Sequence, residues 1–113
     1  MHGLALSRSI VELVTERARA ERFRAVTRVT VAVGVGAGVD AEALRFCWDV
    51  AAEETAARGA ELVIGEVPLG ARCRSCGHEF EPGAVLAPCP ACGRPGVELV
   101  RGRELRVQSF DGE

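Results

Sequence analysis

The sequence predicts an α+β fold in which two helices pack on a small mixed sheet and a four-cysteine segment is inserted into the chain. Three observations lead to this prediction. Helical apolar periodicity alternates with strand-like alternation in the first half, two Cys-x-x-Cys pairs follow, and strand patterns return near the C-terminus. The 113 residues suffice for one compact core with one small insert.

The first half of the chain changes from helical to strand periodicity and back. Leu4 to Ala20 predicts an amphipathic helix, and Val26 to Val35 alternates valine with polar or small residues, which is typical of a half-buried strand. Asp40 is the predicted N-cap of a second helix that ends at Gly59. The predicted apolar positions of the two helices are Leu6, Ile10, Leu13, Val14 and Ala18, then Leu44, Cys47, Trp48, Ala51 and Thr55.

The second half contains the remaining predicted strands. Glu61 to Val67 is one strand pattern, and Val97 to Val100 and Arg103 to Phe110 are two more. We expect the last of them to rejoin the first sheet. The predicted domains are therefore an α+β domain of residues 1–69 plus 99–113 and an inserted domain of residues 70–98.

Four cysteines with ligand spacing dominate the inserted segment. Cys73 and Cys76 form one Cys-x-x-Cys pair, Cys89 and Cys92 form another, and each pair is followed by glycine. This spacing brings four thiolates to one tetrahedral ion, which predicts a structural zinc ribbon. Two disulfides and an iron–thiolate electron-transfer site are the alternatives that the spacing leaves open.

Composition narrows the class of protein. The chain is 48% hydrophobic and 27% charged, which is ordinary for a globular domain, and its net charge of -2 disfavours a nucleic-acid partner. No apolar run reaches the ~20 residues of a membrane span, and no secretory signal is evident. We therefore expect a cytoplasmic protein with no membrane partner, in a compartment that favours thiolates over disulfides.

A second metal site is conceivable at the N-terminus. The Met1 amine, the His2 imidazole and the adjacent backbone nitrogens can provide a planar set of ligands, which suits nickel(II) or copper(II). From the residues alone, a frayed terminus is the favoured interpretation of His2. Cys47 is predicted to be a buried core thiol and Asp40 an N-cap. His78 is predicted to donate a hydrogen bond to a thiolate, with zinc ligation as the alternative.

Several segments together resemble one known family, the HypA family of hydrogenase nickel-incorporation accessory proteins. The resemblance runs over essentially all 113 residues in order and spacing. The segments that carry it are Met1-His2 before an amphipathic helix, Arg28 to Val31, Val39 to Phe46, the two Cys-x-x-Cys-Gly motifs, and Gly102 to Val107.

The resemblance implies a nickel metallochaperone and no enzymatic activity. Such a protein acts with the GTPase HypB to load nickel into the large subunit of NiFe hydrogenase, and in some organisms it serves urease through urease accessory proteins. By the same resemblance, Met1, His2 and the backbone of Gly3 bind nickel, and the four cysteines hold zinc. We expect a monomer or a weak homodimer.

Gly3 departs from the family pattern, which usually begins Met-His-Glu. The missing carboxylate leaves backbone ligation intact but removes a charged group, so we expect weaker or altered nickel handling. The alternative function is a zinc-ribbon module for nucleic-acid or protein interaction that carries no nickel.

Overall fold

The computed structural model describes residues 3–83 and 87–113. Met1 and His2 lie outside the described residues, so the structure does not test the nickel ligands predicted there. In chain order the described elements are α1 (Gly3–Ala20), β1 (Val26–Gly34), α2 (Ala41–Ala52), β2 (Glu61–Val67), β3 (Gly70–Cys73), β4 (Glu79–Phe80), β5 (Val97–Arg101) and β6 (Leu105–Gly112).

The first sheet has the strand order β2-β1-β6. Two contacts show the direction of β2 against β1. Arg28 Nε lies 3.1 Å from Glu61 Oε1, and the Val35 N–H donates to the Val67 carbonyl at 2.9 Å, so residue numbers increase together along the two strands. β1, α2 and β2 therefore form a parallel crossover unit.

The last strand runs the other way. The Glu113 N–H donates to the Ala25 carbonyl at 2.9 Å, and the Gly34 N–H donates to the Glu104 carbonyl at 2.7 Å. Residue numbers therefore run in opposite directions, and β6 is antiparallel to β1. The sheet is mixed, and the prediction that the final strand rejoins it is confirmed.

The two helices pack against each other over an apolar core. Val14, Val29 and Leu44 are almost completely buried in it. Ser7, also fully buried, donates from Oγ to the Leu44 carbonyl at 3.2 Å, which satisfies its hydroxyl at the helix contact. Trp48 buries its ring and donates from Nε1 to the Ala60 carbonyl at 3.0 Å. The second helix is thereby fixed to the segment that leads into β2.

The second helix is shorter than predicted. It ends at Ala52, whereas Gly59 was the predicted terminus. Glu53 leaves the helix with ψ 139°, and Glu54 adopts a left-handed conformation with φ 65°. The predicted helical position Thr55 therefore belongs to a turn.

Two predicted apolar positions are also less buried than the periodicity suggested. Leu13 is 59% exposed although its neighbours Ile10 and Val14 are buried. Cys47 is half-buried, so it does not have the fully buried environment expected of a core thiol.

The chain divides into two compact units. The helical unit comprises Met1–Ala32, Val39–Gly65 and Arg106–Glu113, and the ribbon unit comprises Val33–Gly38 and Glu66–Leu105. The predicted domain boundaries at residues 70 and 98 stay a prediction. Within the described residues, no helix has both the length and the apolar character that crossing a bilayer requires.

Candidate metal centre

A small antiparallel sheet in the ribbon unit positions the first cysteine. Its strand order is β4-β3-β5, and Cys73 at the end of β3 lies opposite Val97 of β5. On the other side, Arg72 lies opposite Glu79 of β4. The central strand is therefore held from both sides, and it fixes the backbone from which the first Cys-x-x-Cys turn begins.

The two Cys-x-x-Cys turns repeat one hydrogen-bond pattern. In each, the carbonyl of the first cysteine accepts from the following glycine N–H, and its own N–H donates to the carbonyl five residues later. These glycines adopt positive φ angles, which residues with a Cβ rarely do. The bonds are Gly77 N to Cys73 O at 2.9 Å, Cys73 N to His78 O at 2.9 Å, Gly93 N to Cys89 O at 2.7 Å and Cys89 N to Arg94 O at 3.2 Å.

The four sulfur atoms converge as a tetrahedral ion requires. Cys73 Sγ lies 3.6 Å from Cys92 Sγ, Cys76 Sγ lies 3.7 Å from Cys89 Sγ, and all four sulfurs are within 4.8 Å of one another. A tetrahedron with Zn–S bonds of about 2.3 Å has sulfur–sulfur edges of about 3.8 Å, whereas a disulfide requires about 2.05 Å. The four thiols are free, and the donor set fits a tetrahedral metal.

The backbone around Cys73 favours the thiolate form of its sulfur. The backbone amide of Cys76 hydrogen-bonds the Cys73 sulfur and is the largest of the contributions that lower the pKa of this thiol to about 6. The Ser75 N–H, 3.3 Å from the same sulfur, acts in the same direction. Cys73 therefore offers negative charge to an incoming cation at neutral pH.

The pKa values of Cys76 and Cys92 are shifted in the opposite direction. The amide of His78 favours the Cys76 thiolate, but desolvation and the neighbouring sulfurs outweigh it and raise the pKa of Cys76 to about 11. At Cys92 the amide of Arg94 is likewise outweighed, and the pKa of that thiol is raised. Four adjacent thiols cannot all ionise without a cation between them, so metal binding must displace protons.

His78 lies beside the cluster but is not part of it. The group of described residues that could hold a metal contains the four cysteines alone. The His78 ring instead stacks on Phe80, with ring centroids 5.7 Å apart and planes 11° apart. His78 is exposed and directly precedes β4, and its stacking partner Phe80 is half-buried on that strand.

The start of α1 lies against the start of α2. Gly3 opens α1, and a Cβ at this position would lie 2.9 Å from the Ala43 carbonyl oxygen. Asp40 caps α2, with Oδ1 accepting from the Glu42 N–H at 3.0 Å and the Ala43 N–H at 3.3 Å. The N-cap interpretation of Asp40 is confirmed, and the glycine accounts for the close approach of the two helices.

Comparison with known proteins gives one consistent result. The family model described as "Hydrogenase/urease nickel incorporation, metallochaperone, hypA" matches residues 1–112. Relatives from Geotalea daltonii and Chlorobaculum tepidum, both named Hydrogenase maturation factor HypA, are each 44% identical to this chain over 110 residues. Each alignment covers 97% of this chain and 97% of the relative.

Solved structures agree with the sequence relatives. The solution structure of the Ni metallochaperone HypA from Helicobacter pylori matches with a TM-score of 0.71 and 25% identity, covering 99% of this chain and 97% of the other. A second solution structure, described as that of HypA protein, matches with a TM-score of 0.77 and 25% identity, covering 100% and 97%.

Proposed function

Because this chain belongs to the HypA family of hydrogenase/urease nickel-incorporation metallochaperones, we propose that it carries nickel(II) as cargo at its N-terminus. The ligands are the Met1 amine, the His2 imidazole and backbone nitrogens that include Gly3. The chain delivers the ion, together with a GTPase of the HypB type, to the large subunit of NiFe hydrogenase. The observation that carries this proposal is the family match over residues 1–112.

The chemistry of the two donor sets supports a division between resident metal and cargo. Nitrogen ligands in one plane suit nickel(II), whereas a tetrahedral set of thiolates suits zinc. The cysteine cluster has the sulfur spacing of a tetrahedral site. Cys73, Cys76, Cys89 and Cys92 accordingly hold a structural zinc ion, and the nickel site uses none of them.

The position of Gly3 bears on the nickel site. It is the first residue of α1 that the structure describes. Backbone amides at a helix N-terminus have no intrahelical acceptor, and they are therefore free to serve as ligands once deprotonated. The close contact of Gly3 with Ala43 fixes the base of this proposed site against α2.

Metal analysis of the untagged chain tests the proposal. After nickel loading and desalting, we expect one zinc and one nickel ion per chain. N-terminal acetylation, or His2→Ala, removes the nickel and leaves the zinc, whereas Cys73→Ser removes the zinc. Retention of nickel after both N-terminal changes would place the cargo site elsewhere.

Gly3→Glu tests the departure from the family pattern, and the structure supplies its control. Any side chain at this position presses on the Ala43 carbonyl, so Gly3→Glu changes packing and charge together. Gly3→Ala adds the Cβ without the carboxylate. If the carboxylate matters, titration calorimetry finds tighter nickel binding for Gly3→Glu than for Gly3→Ala. Equal affinities of the two variants would show that the carboxylate has no part in nickel binding.

A further inference from the structure

The cysteine cluster has two buried and two exposed members. Cys73 and Cys89, the first cysteine of each turn, are 1% exposed, whereas Cys76 and Cys92, the second of each turn, are exposed. A Cβ built on the glycine that follows each exposed cysteine would meet no atom of the described chain within 4 Å, apart from its neighbours in sequence. A small solute can therefore approach the cluster from the side of Cys76 and Cys92.

Each exposed cysteine has a buried cysteine of the other turn beside it. Cys92 Sγ lies 3.6 Å from Cys73 Sγ, and Cys76 Sγ lies 3.7 Å from Cys89 Sγ. A contraction of about 1.6 Å would bring either contact to the ~2.05 Å of a disulfide. Oxidation-sensitive cysteines combine thiolate character and solvent access with a second cysteine within reach. Cysteines that hold a metal are thiolates, so this cluster has all three properties.

We propose that the cluster is also a modification site, at which a hydroperoxide such as hydrogen peroxide converts the four cysteines into two disulfides, Cys73–Cys92 and Cys76–Cys89. The exposed thiolate of each pair attacks one peroxide oxygen, which breaks the O–O bond, forms a sulfenic acid and releases hydroxide. The buried thiolate then attacks the sulfenic sulfur, forms the S–S bond and expels a second hydroxide. Each disulfide consumes one peroxide, which the two electrons from the sulfurs reduce to two hydroxide ions.

Oxidation with this pairing releases the metal without separating the two turns. A disulfide contains no thiolate, so each one removes two of the four ligands. Both proposed disulfides connect the first turn to the second, as a metal bound by all four sulfurs does. Pairing within each turn, Cys73 with Cys76 and Cys89 with Cys92, would leave the turns unconnected. The proposed pairing therefore predicts that the oxidised, metal-free ribbon keeps the fold that the chelated ribbon loses.

This modification goes beyond the proposed delivery of nickel and does not depend on it. None of the four cysteines is among the proposed nickel ligands. A dithiol reductant returns both disulfides to thiols by exchange, so the change is reversible. The zinc occupancy of the ribbon is therefore expected to fall with peroxide and to recover on reduction, while the proposed cargo site keeps its ligands.

Peptide mapping of the full-length, zinc-loaded chain tests the pairing. After oxidation with hydrogen peroxide, the remaining thiols are alkylated and the chain is digested with trypsin and a glutamate-specific protease. The cysteines then lie on three fragments, residues 73–74, 75–79 and 80–98. We expect one species in which disulfides join all three fragments. Breaking the Cys89–Pro90 bond of this species in the mass spectrometer should leave Cys89 attached to the fragment 75–79.

Zinc content and protease resistance test the consequence of that pairing. Metal analysis after desalting should find less than about one tenth of the zinc in the oxidised chain, and dithiothreitol with added zinc should restore one ion per chain. The oxidised chain should survive limited proteolysis between residues 66 and 105 at least about tenfold longer than the reduced, chelated chain, because the disulfides keep the two turns together.

Cys47 is the internal control for the mapping. It lies on α2 outside the cluster, so it should be recovered alkylated, and Cys47→Ser should leave the pairing unchanged. The proposal fails if peroxide leaves the four cysteines as thiols, if it produces sulfinic or sulfonic acids without disulfides, or if the three fragments are joined in any other way. An oxidised ribbon as sensitive to protease as the chelated one would also overturn it. None of these outcomes changes the nickel content that tests the proposed function.

Discussion

The helical unit and the ribbon unit are held together by different means. In the helical unit, large apolar side chains such as Val14, Leu44 and Trp48 are almost fully buried. Among the described residues of the ribbon unit, the buried hydrophobic side chains are those of Val33, near the end of β1, and of Ala71, Cys73 and Cys89. Apolar burial can stabilise the first unit, whereas the second has little apolar area to bury, and we expect it to depend on a metal held by its four cysteines.

Removing the metal should therefore show most clearly that the two units are stabilised by different means. Chelation of the zinc, or Cys73→Ser, is expected to unfold the sheet of β3, β4 and β5, because structural zinc in zinc-finger peptides contributes on the order of 10–16 kcal/mol. The helical signal in circular dichroism should remain, and limited proteolysis should cut the chain between residues 66 and 105. A protease-resistant ribbon after complete chelation would show that the metal does not hold it.

The corresponding test of the helical unit is a substitution in its apolar core. Trp48→Ala removes a buried indole and leaves the Ala60 carbonyl without its 3.0 Å donor, so it should lower the free energy of unfolding by about 3–5 kcal/mol. Denaturant unfolding followed by circular dichroism measures this loss. Phe46→Ala is the matched control, because Phe46 is exposed and its truncation should change stability by less than about 0.5 kcal/mol.

Zinc content decides whether the two units are independent. We expect the folded fraction of Trp48→Ala to keep one zinc ion per chain. If the zinc content of Trp48→Ala fell together with its free energy of unfolding, the two units would form one cooperative system. They would then not be stabilised independently.

Protonation of the cluster should make zinc binding depend on pH. At neutral pH the Cys73 thiol, with a pKa of about 6, is largely ionised, whereas Cys76, with a pKa of about 11, is protonated. The pKa of Cys92 is also raised. Four thiolates are needed by the metal, so binding must release at least the protons of Cys76 and Cys92. The affinity should rise with pH, by roughly a hundredfold per unit for two protons.

Calorimetry in buffers of different ionisation enthalpy counts the released protons directly. We expect at least two per zinc ion at pH 7. Release of fewer than one would mean that the thiols are already ionised before the metal arrives. Cys47, which lies on α2 outside the cluster, provides the control, and Cys47→Ser should leave the proton count unchanged.

Local patterns in the sequence were sufficient for much of the fold and for the cysteine site. The bounds of β2 follow from the apolar run Leu62 to Ile64 and from Pro68, which cannot donate to a ladder. The cysteine spacing predicts the convergence of the sulfurs because each turn is closed by hydrogen bonds within six residues. In both cases the residues that determine the structure are neighbours in the chain.

Features set by distant contacts were not predictable in the same way. The alanine-rich segment after Ala52 has good helix propensity, but Ala57 is fully buried and Trp48 bonds the Ala60 carbonyl, so packing turns the chain early. The exposure of Leu13 depends on where β6 ends the sheet, nearly a hundred residues later. Periodicity identifies an apolar stripe, but it does not show which of its edges a neighbouring element covers.

The smallest predicted effect concerns the turn at the end of α1, which Arg22 and Phe23 close. Arg22 has a φ of 66° at the position after α1 where glycine is usual. Arg22→Gly relieves the contact between Cβ and the backbone, so it should raise the free energy of unfolding by up to about 1 kcal/mol, measured by denaturant unfolding. Arg19→Gly, inside the last turn of α1, is the control and should lower it by a similar amount. Because the ribbon has no part in this turn, zinc binding should be the same in both variants. Destabilisation by Arg22→Gly would mean that the arginine side chain, rather than the left-handed backbone, determines how this helix ends.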